Sequence, residues 1–104
     1  MPTTALHERT VHVDDEGFMT EYDEWDDEVA AELAQRIGIT LTEAHWKPLR
    51  FLRRDFADRG ETPTLRRVST AGGVPIKDLF ALFPQKPAKK MAYVAGLPKP
   101  RGCV

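Results

Sequence analysis

The chain of 104 residues is long enough for one domain, and its 41% apolar residues suffice for one modest hydrophobic core. Its single cysteine excludes a disulfide framework, and no apolar run approaches the roughly 20 residues of a membrane span. The N-terminal residues lack the basic and hydrophobic regions of a signal peptide. We therefore expect a cytoplasmic protein in a reducing compartment, with no membrane partner.

Charge is unevenly distributed, although the net charge is −1. Residues 1–34 hold eleven acidic side chains and one basic one, a net −10, whereas the remaining seventy residues carry +9. Such asymmetry is typical of a nucleic-acid or acidic-protein surface, or of two regions that face each other and cancel. We favour the second interpretation.

In chain order, the first predicted elements are a β-hairpin at about 9–23 and a helix. Residues 10–13 and 18–22 flank a turn in which Gly17 provides the positive φ that hairpin loops need. Asp26 or Asp27 is then predicted to cap a helix that runs to Ile37 and stops at Gly38.

Four further helices are predicted before residue 96. They begin near Thr40 or Thr42, where Thr40 and Glu43 have capping-box spacing, at Thr62–Pro63, at Pro75, and at Pro87. Pro48 should kink the first of these or delay its regular part. The two helices on either side of Gly72–Gly73 have the outline of a helix-turn-helix. The predicted fold is mainly α, a small helical bundle with an N-terminal β-hairpin, a helix-turn-helix-like segment and an extended C-terminal arm.

We predict a division into a domain of residues 1–96, with helices over about 26–96, and a flexible arm of residues 97–104. Pro98 and Pro100 favour extended backbone in the arm, which gives it a reach of about 25 Å. An exposed arm buries little, so its deletion is expected to leave thermal stability nearly unchanged. Cys103 lies one residue from the end, and Lys99 and Arg101 favour its thiolate form. The sequence therefore predicts a thiol that is presented to a partner.

The C-terminal sequence resembles the C-terminal arm of the DsrC/TusE family of proteins, which are similar to the gamma subunit of sulfite reductase. The resemblance covers residues 95–100 and Gly102-Cys103-Val104. Further landmarks of that family occur in its order: Asp15-Glu16-Gly17-Phe18, Trp25, His45-Trp46, Arg50-Phe51, Pro63, Arg66, Leu82-Phe83-Pro84 and Pro87-Ala88-Lys89. Lys86 stands where the family commonly has glycine. The resemblance implies a sulfur-relay protein whose penultimate cysteine carries sulfur.

Members that work with dissimilatory sulfite reductase have a second cysteine, eleven residues earlier, where this chain has Ala92. A single cysteine excludes an intramolecular disulfide or trisulfide and indicates a TusE-like variant. By resemblance, Cys103 accepts sulfane sulfur as a persulfide from an upstream donor protein. It then passes the sulfur to an acceptor enzyme, either a tRNA thiolase in tRNA 2-thiouridine formation or a sulfite reductase-like enzyme. This is a sulfurtransferase-type carrier rather than an enzyme that turns over a small substrate.

Partner contacts are expected from both the arm and the body of the protein. The candidates are Pro98, Lys99, Pro100, Arg101 and Gly102 on the arm, with Arg66, Lys89 and Lys90 on the body. The three histidines do not have metal-ligand spacing, so neither a metal site nor a cofactor is expected. His45 is predicted to be a packed residue that makes a backbone hydrogen bond.

Two alternatives remain. The chain is an accessory or regulatory partner of a sulfite reductase or sulfur-oxidation complex, or it is a helix-turn-helix DNA-binding protein. For the second, Lys77 is the only base on the candidate recognition helix between Pro75 and Phe83, whose other positions are largely apolar. Such a surface is poor at contacting base edges and phosphates, so we favour the sulfur carrier.

Overall fold

The computed structural model describes residues 3–6 and 9–100, in which two short strands precede five α-helices. Strands β1 (Thr3–Leu6) and β2 (Arg9–His12) pair antiparallel. The helices are α1 (Asp27–Arg36), α2 (Glu43–Arg59), α3 (Leu65–Gly72), α4 (Ile76–Leu82) and α5 (Pro87–Val94). The mainly helical fold with an N-terminal hairpin is confirmed. None of the helices in the described ranges is long and apolar enough to span a membrane.

The hairpin lies earlier in the chain than predicted. Residues 9–12 pair with residues 3–6, whereas the predicted pairing with residues 18–22 is reduced to one bridge between Val13 and Met19. The backbone N–H of His12 donates to the carboxylate of Glu24 at 2.8 Å, which uses the donor that a longer ladder would need. Residues 22–24 form a 3-10 turn instead. The expected strand 18–22 is therefore wrong.

Helix α1 begins as the sequence predicts. The side chain of Asp26 accepts a hydrogen bond from the N–H of Val29 at 3.0 Å, which satisfies a free donor of the first turn. The inward face of the helix buries Val29, Ala30, Leu33 and Ala34.

Helix α2 begins after Thr42 through a pairing that differs from the predicted Thr40 and Glu43. The backbone N–H of Thr42 donates to Nδ1 of His45 at 3.0 Å, and Nε2 of that ring donates to the carbonyl oxygen of Leu82 at 3.0 Å. His45 is thus the packed histidine that the sequence indicates, and it joins the start of α2 to the end of α4. Pro48 lies buried inside the helix and does not delay its start.

Helix α3 begins two residues later than predicted, at Leu65. The cap is Thr64, whose hydroxyl accepts from the N–H of Arg67 at 3.1 Å, rather than Thr62. The Arg67 guanidinium donates to both carboxylate oxygens of Asp55, at 2.7 and 2.9 Å. This bidentate pair ties α3 to α2.

We expect the Asp55–Arg67 pair to make stability depend on acid pH. The hydrogen bonds from Arg67 lower the pKa of Asp55 despite the opposing effect of burial. Because the pKa is lower in the folded chain, this stabilisation is complete above the ordinary value of about 4 and is lost as the pH falls below it. Asp55→Asn should lower the melting temperature at neutral pH and flatten its decline between about pH 5 and pH 2.

The measurement is the melting temperature across this pH range for the original chain and the variant. Asp58→Asn removes an exposed carboxylate from the same helix and is the control for loss of charge. A decline of unchanged steepness in Asp55→Asn would contradict the prediction. Some decline should remain in any case, because a hydrogen bond from the His12 backbone lowers the pKa of Glu24.

The acidic N-terminal region and the basic remainder meet in part. Arg50 on α2 pairs with Asp27 at 3.4 Å, and Lys99 pairs with Glu16 at 3.2 Å. The core lies between all five helices, and its fully buried large side chains include Leu33, Leu49, Leu52, Val68, Leu79, Phe83, Met91 and Leu97.

Candidate functional site

Helix α5 ends in a turn that directs the start of the C-terminal arm into the core. Gly96 has a φ of +71°, and its N–H donates to the carbonyl oxygen of Tyr93 at 3.2 Å. The N–H of Leu97 donates to the carbonyl oxygen of Ala92 at 3.0 Å. These two bonds are the Schellman arrangement, in which an apolar residue after the glycine packs back on the helix. The side chain of Leu97 is accordingly fully buried.

Trp25 and Arg53 hold the last carbonyl groups of α5. The indole N–H of Trp25 donates to Val94 at 2.8 Å, and one guanidinium nitrogen of Arg53 donates to Ala95 at 3.1 Å. The guanidinium also stacks over the indole, 4.5 Å from its centroid, and donates to the carbonyl oxygen of Tyr22 at 2.8 Å. Burial lowers the pKa of Arg53. These contacts tie the helix end to both α2 and the N-terminal segment.

The next arm residues contact two separate parts of the body. The Thr62 hydroxyl donates to the carbonyl oxygen of Pro98 at 2.8 Å, and the Lys99 ammonium pairs with Glu16 at 3.2 Å. Pro100 is buried. We call the four body residues Glu16, Trp25, Arg53 and Thr62 the arm seat, because they hold residues 94–99.

The expectation of a free arm from residue 97 onward is wrong for its first four residues. Leu97 and Pro100 are buried and Pro98 is half-buried, because the turn after α5 and the arm seat pack them against the body. Lys99 is exposed, but its ammonium is paired. Arg101, Gly102 and Cys103 lie outside the described residues, so their predicted roles remain predictions.

Two of the predicted contact residues on the body lie near the arm. Lys89 and Lys90 are half-buried and line a cavity that also contains Glu16, the residue that pairs with the arm. Arg66 is exposed on α3, and no hydrogen bond or ion pair among the described residues joins it to the arm. Ala92, where the resemblance places the second cysteine of other members, is fully buried. It lies in the last turn of α5, next to the first residues of the arm, and we call residues 92–97 the arm root.

Sequence reasoning missed the four residues of the arm seat as a unit. Glu16 and Trp25 were noted only as family landmarks, and Thr62 was assigned to a helix cap. Nothing in the sequence distinguishes Arg53 from its neighbour Arg54. In residues 3–6 and 9–100, no group of three or more His, Cys, Asp or Glu side chains is placed to hold a metal ion.

The model of the DsrC-like protein family matches residues 5–104, nearly the whole chain. The chain belongs to the DsrC-like family. Among its relatives, the sulfurtransferase TusE of Sodalis glossinidius is 36% identical over 101 residues, covering 90% of this chain and 94% of the relative. The sulfurtransferase TusE of Escherichia coli (strain K12) is 31% identical over 103 residues, covering 92% and 94%.

Solved structures agree with this assignment. The oxidized gamma-subunit of the dissimilatory sulfite reductase, DsrC, from Archaeoglobus fulgidus is 38% identical, with a TM-score of 0.81 over 99% of this chain and all of the other. The solution structure of Allochromatium vinosum DsrC is 35% identical, with a TM-score of 0.83 over 98% of this chain and 97% of that one. The resemblance inferred from the arm and the landmarks is therefore confirmed. DsrC-like membership gives the DNA-binding alternative no support.

Proposed function

We propose that this chain is a sulfur carrier in a sulfur relay, with Cys103 as the carrier residue. The observation that supports it most is the match to the DsrC-like family through residue 104, together with relatives named sulfurtransferase TusE. The chain has one thiol, and it lies four residues beyond the last arm-seat contact at Lys99. A seated arm root gives the terminal segment a defined point of departure from the body.

The proposed chemistry is exchange between thiols. The Cys103 thiolate attacks the outer sulfur of a donor persulfide, a new S–S bond forms at Cys103, and the donor cysteine leaves as a thiolate. The next step repeats this exchange with the acceptor as nucleophile, so no external oxidant or reductant is needed. Lys99 remains a proposed partner contact, and its exposed ion pair with Glu16 at 3.2 Å places its ammonium beside the body in the free chain.

The partners in this proposal are an upstream persulfide donor protein and a downstream acceptor enzyme. The lack of a second cysteine, with Ala92 at the relevant position, favours a TusE-like relay that ends in tRNA thiolation. Arg101 and Gly102 precede Cys103 in the segment that enters the partner, whereas Pro98 and Pro100 pack against the body and hold the start of that segment. A cytoplasmic location is part of the same proposal.

A second candidate is an accessory partner of a sulfite reductase or sulfur-oxidation complex. It is favoured by the 38% identity with the gamma-subunit of a dissimilatory sulfite reductase over 99% of this chain. In that case the arm serves docking, and Cys103 forms an intermolecular link rather than carrying labile sulfur.

The experiment incubates the reduced chain with a cysteine desulfurase, cysteine and candidate relay proteins, and records the intact mass before and after a reductant. We expect a reductant-labile gain of one sulfur atom that is absent in Cys103→Ser, while circular dichroism shows an unchanged fold. Cys103→Ser combined with Ala71→Cys is the matched control, since it moves the thiol to an exposed position on α3. Labile sulfur on Cys103→Ser, or no gain from a verified donor, would contradict the carrier function.

A further inference from the structure

A cavity of about 400 Å³ lies beside the arm seat, between the turn at residues 14–17 and helix α5. Three lysines at the start of α5 contribute the positive part of its charged lining: Lys86, Lys89 and Lys90. Its apolar wall consists of Phe18, Ile37 and Tyr93, with the Phe18 and Tyr93 rings edge to face at 5.9 Å between centroids. Glu16, which pairs with Lys99 of the arm, also lines it.

The three lysines are not explained by the stability of the fold. They are spaced three, four and one residues apart at the start of one helix, where like charges repel and the helix dipole disfavours cations. The first turn of α5 has no acidic residue. Lys90 donates to the carbonyl oxygen of Pro84, but neither Lys86 nor Lys89 has an ion pair or side-chain hydrogen bond within residues 3–6 and 9–100. Sites where local preferences are broken in this way are often functional.

The backbone conformation of Lys86 is also unfavourable for the stability of the fold. Lys86 has φ of 52° and ψ of 57°, the left-handed region, although it carries a side chain and precedes Pro87. Glycine adopts this conformation with less strain than a residue that carries a side chain. Lysine at this position has an unfavourable backbone conformation, and its ammonium adds a third positive charge to the cavity lining.

We propose that this cavity docks an acidic segment of a partner protein, with a carboxylate bound by Lys86 and Lys89. The apolar wall suits the methylene groups of a glutamate or aspartate side chain, and lysine supplies the positive charge. A nucleic acid strand fits less well, because every nucleotide carries a phosphate and its neighbouring phosphates would face the exposed Asp14, Asp15 and Glu16. A peptide can place its carboxylates at the lysines and neutral residues beside that turn. The cavity is also linked to the arm through Glu16, so a partner docked here is placed at the arm root.

The test is a titration of the full-length, reduced, ¹⁵N-labelled chain with a blocked peptide of two glutamates flanked on each side by two alanines, followed by amide chemical shifts. We expect shifts concentrated at residues 86–93 and at 16–18, and an affinity that falls with added salt. Lys89→Glu should weaken binding at least tenfold, whereas Lys77→Glu, the same charge change in the first turn of α4, should change it less than twofold. Lys77 is exposed and lies outside this cavity.

Three results would overturn the proposal. The first is peptide binding that does not depend on this cavity, seen as equal binding by Lys89→Glu and the original chain or as shifts that lie elsewhere. The second is tighter binding of a single-stranded RNA hexamer at the same residues, which would assign the cavity to nucleic acid. The third is saturation by inorganic phosphate at the same concentration as the peptide, which would indicate a site for a free oxyanion.

Melting temperatures of the variants distinguish a loss of peptide binding from a disturbed fold. Lys89→Glu places an acid in the first turn of α5 and removes like-charge repulsion, so it should raise the melting temperature while it reduces binding. Loss of binding with a lowered melting temperature would indicate a disturbed fold and contradict this expectation. The purpose of this docking rests on the proposed sulfur-carrier function, whereas the binding of an acidic peptide does not. Because the titration uses the reduced chain without sulfur, failure of Cys103 to load and failure of the cavity to bind are separate results.

Discussion

Gly96→Ala is expected to destabilise the chain by about 2–4 kcal/mol, because the added methyl group has no room and the backbone conformation is unfavourable. An alanine Cβ at this position would lie 2.5 Å from Cδ1 of Trp25 and 2.9 Å from Sδ of Met19. To relieve these contacts the indole must move, which breaks its hydrogen bond to Val94. For a chain of this size the melting temperature should fall by roughly 10–25 °C.

Gly38→Ala is the matched control. Gly38 has a φ of +76°, close to the +71° of Gly96, but no atom lies within 4 Å of the position where its Cβ would be. Gly38→Ala should lower the free energy of unfolding only by the backbone strain, about 1 kcal/mol. Urea unfolding of both variants measures the difference between them, which reports the contacts with Trp25 and Met19. Equal losses would contradict the close packing of the arm root.

All five helices were predictable, and several of their ends are marked by local chemistry. Asp26, Pro87 and Gly96 act on backbone groups a few residues away, so their positions in the sequence are sufficient to place a cap or a stop. The hairpin was misplaced because its extent depends on a bond between His12 and Glu24, which are twelve residues apart. No local pattern reveals that a carboxylate takes this backbone donor.

The arm seat was not predictable because its hydrogen bonds join residues that are even farther apart in the sequence. The bond from Trp25 to Val94 joins residues 69 positions apart, and the bond from Thr62 to Pro98 joins residues 36 positions apart. One local signal was available. A glycine followed by a large apolar residue at a helix end, as in Gly96-Leu97, indicates that the second residue packs on the helix. The prolines after it favoured the interpretation of a free extended arm.

Leu97→Ala is expected to lower the free energy of unfolding by about 2–5 kcal/mol, the usual cost of removing a fully buried leucine side chain. The sequence alone suggested that the entire arm contributes almost nothing. The opposite expectation follows from the burial of Leu97 among core residues. Deleting residues 97–104 should therefore cost at least as much as the single substitution.

Lys99→Ala separates core packing from surface pairing in the same segment. Its side chain is 43% exposed and its partner Glu16 is 53% exposed, so loss of this ion pair should cost less than about 1 kcal/mol. Urea unfolding at neutral pH measures all three variants. A small loss in Leu97→Ala, similar to that in Lys99→Ala, would show that the arm root is not part of the core. A large loss confined to Leu97→Ala and the deletion would mean that the segment leading to Cys103 is anchored by the same contacts that stabilise the fold.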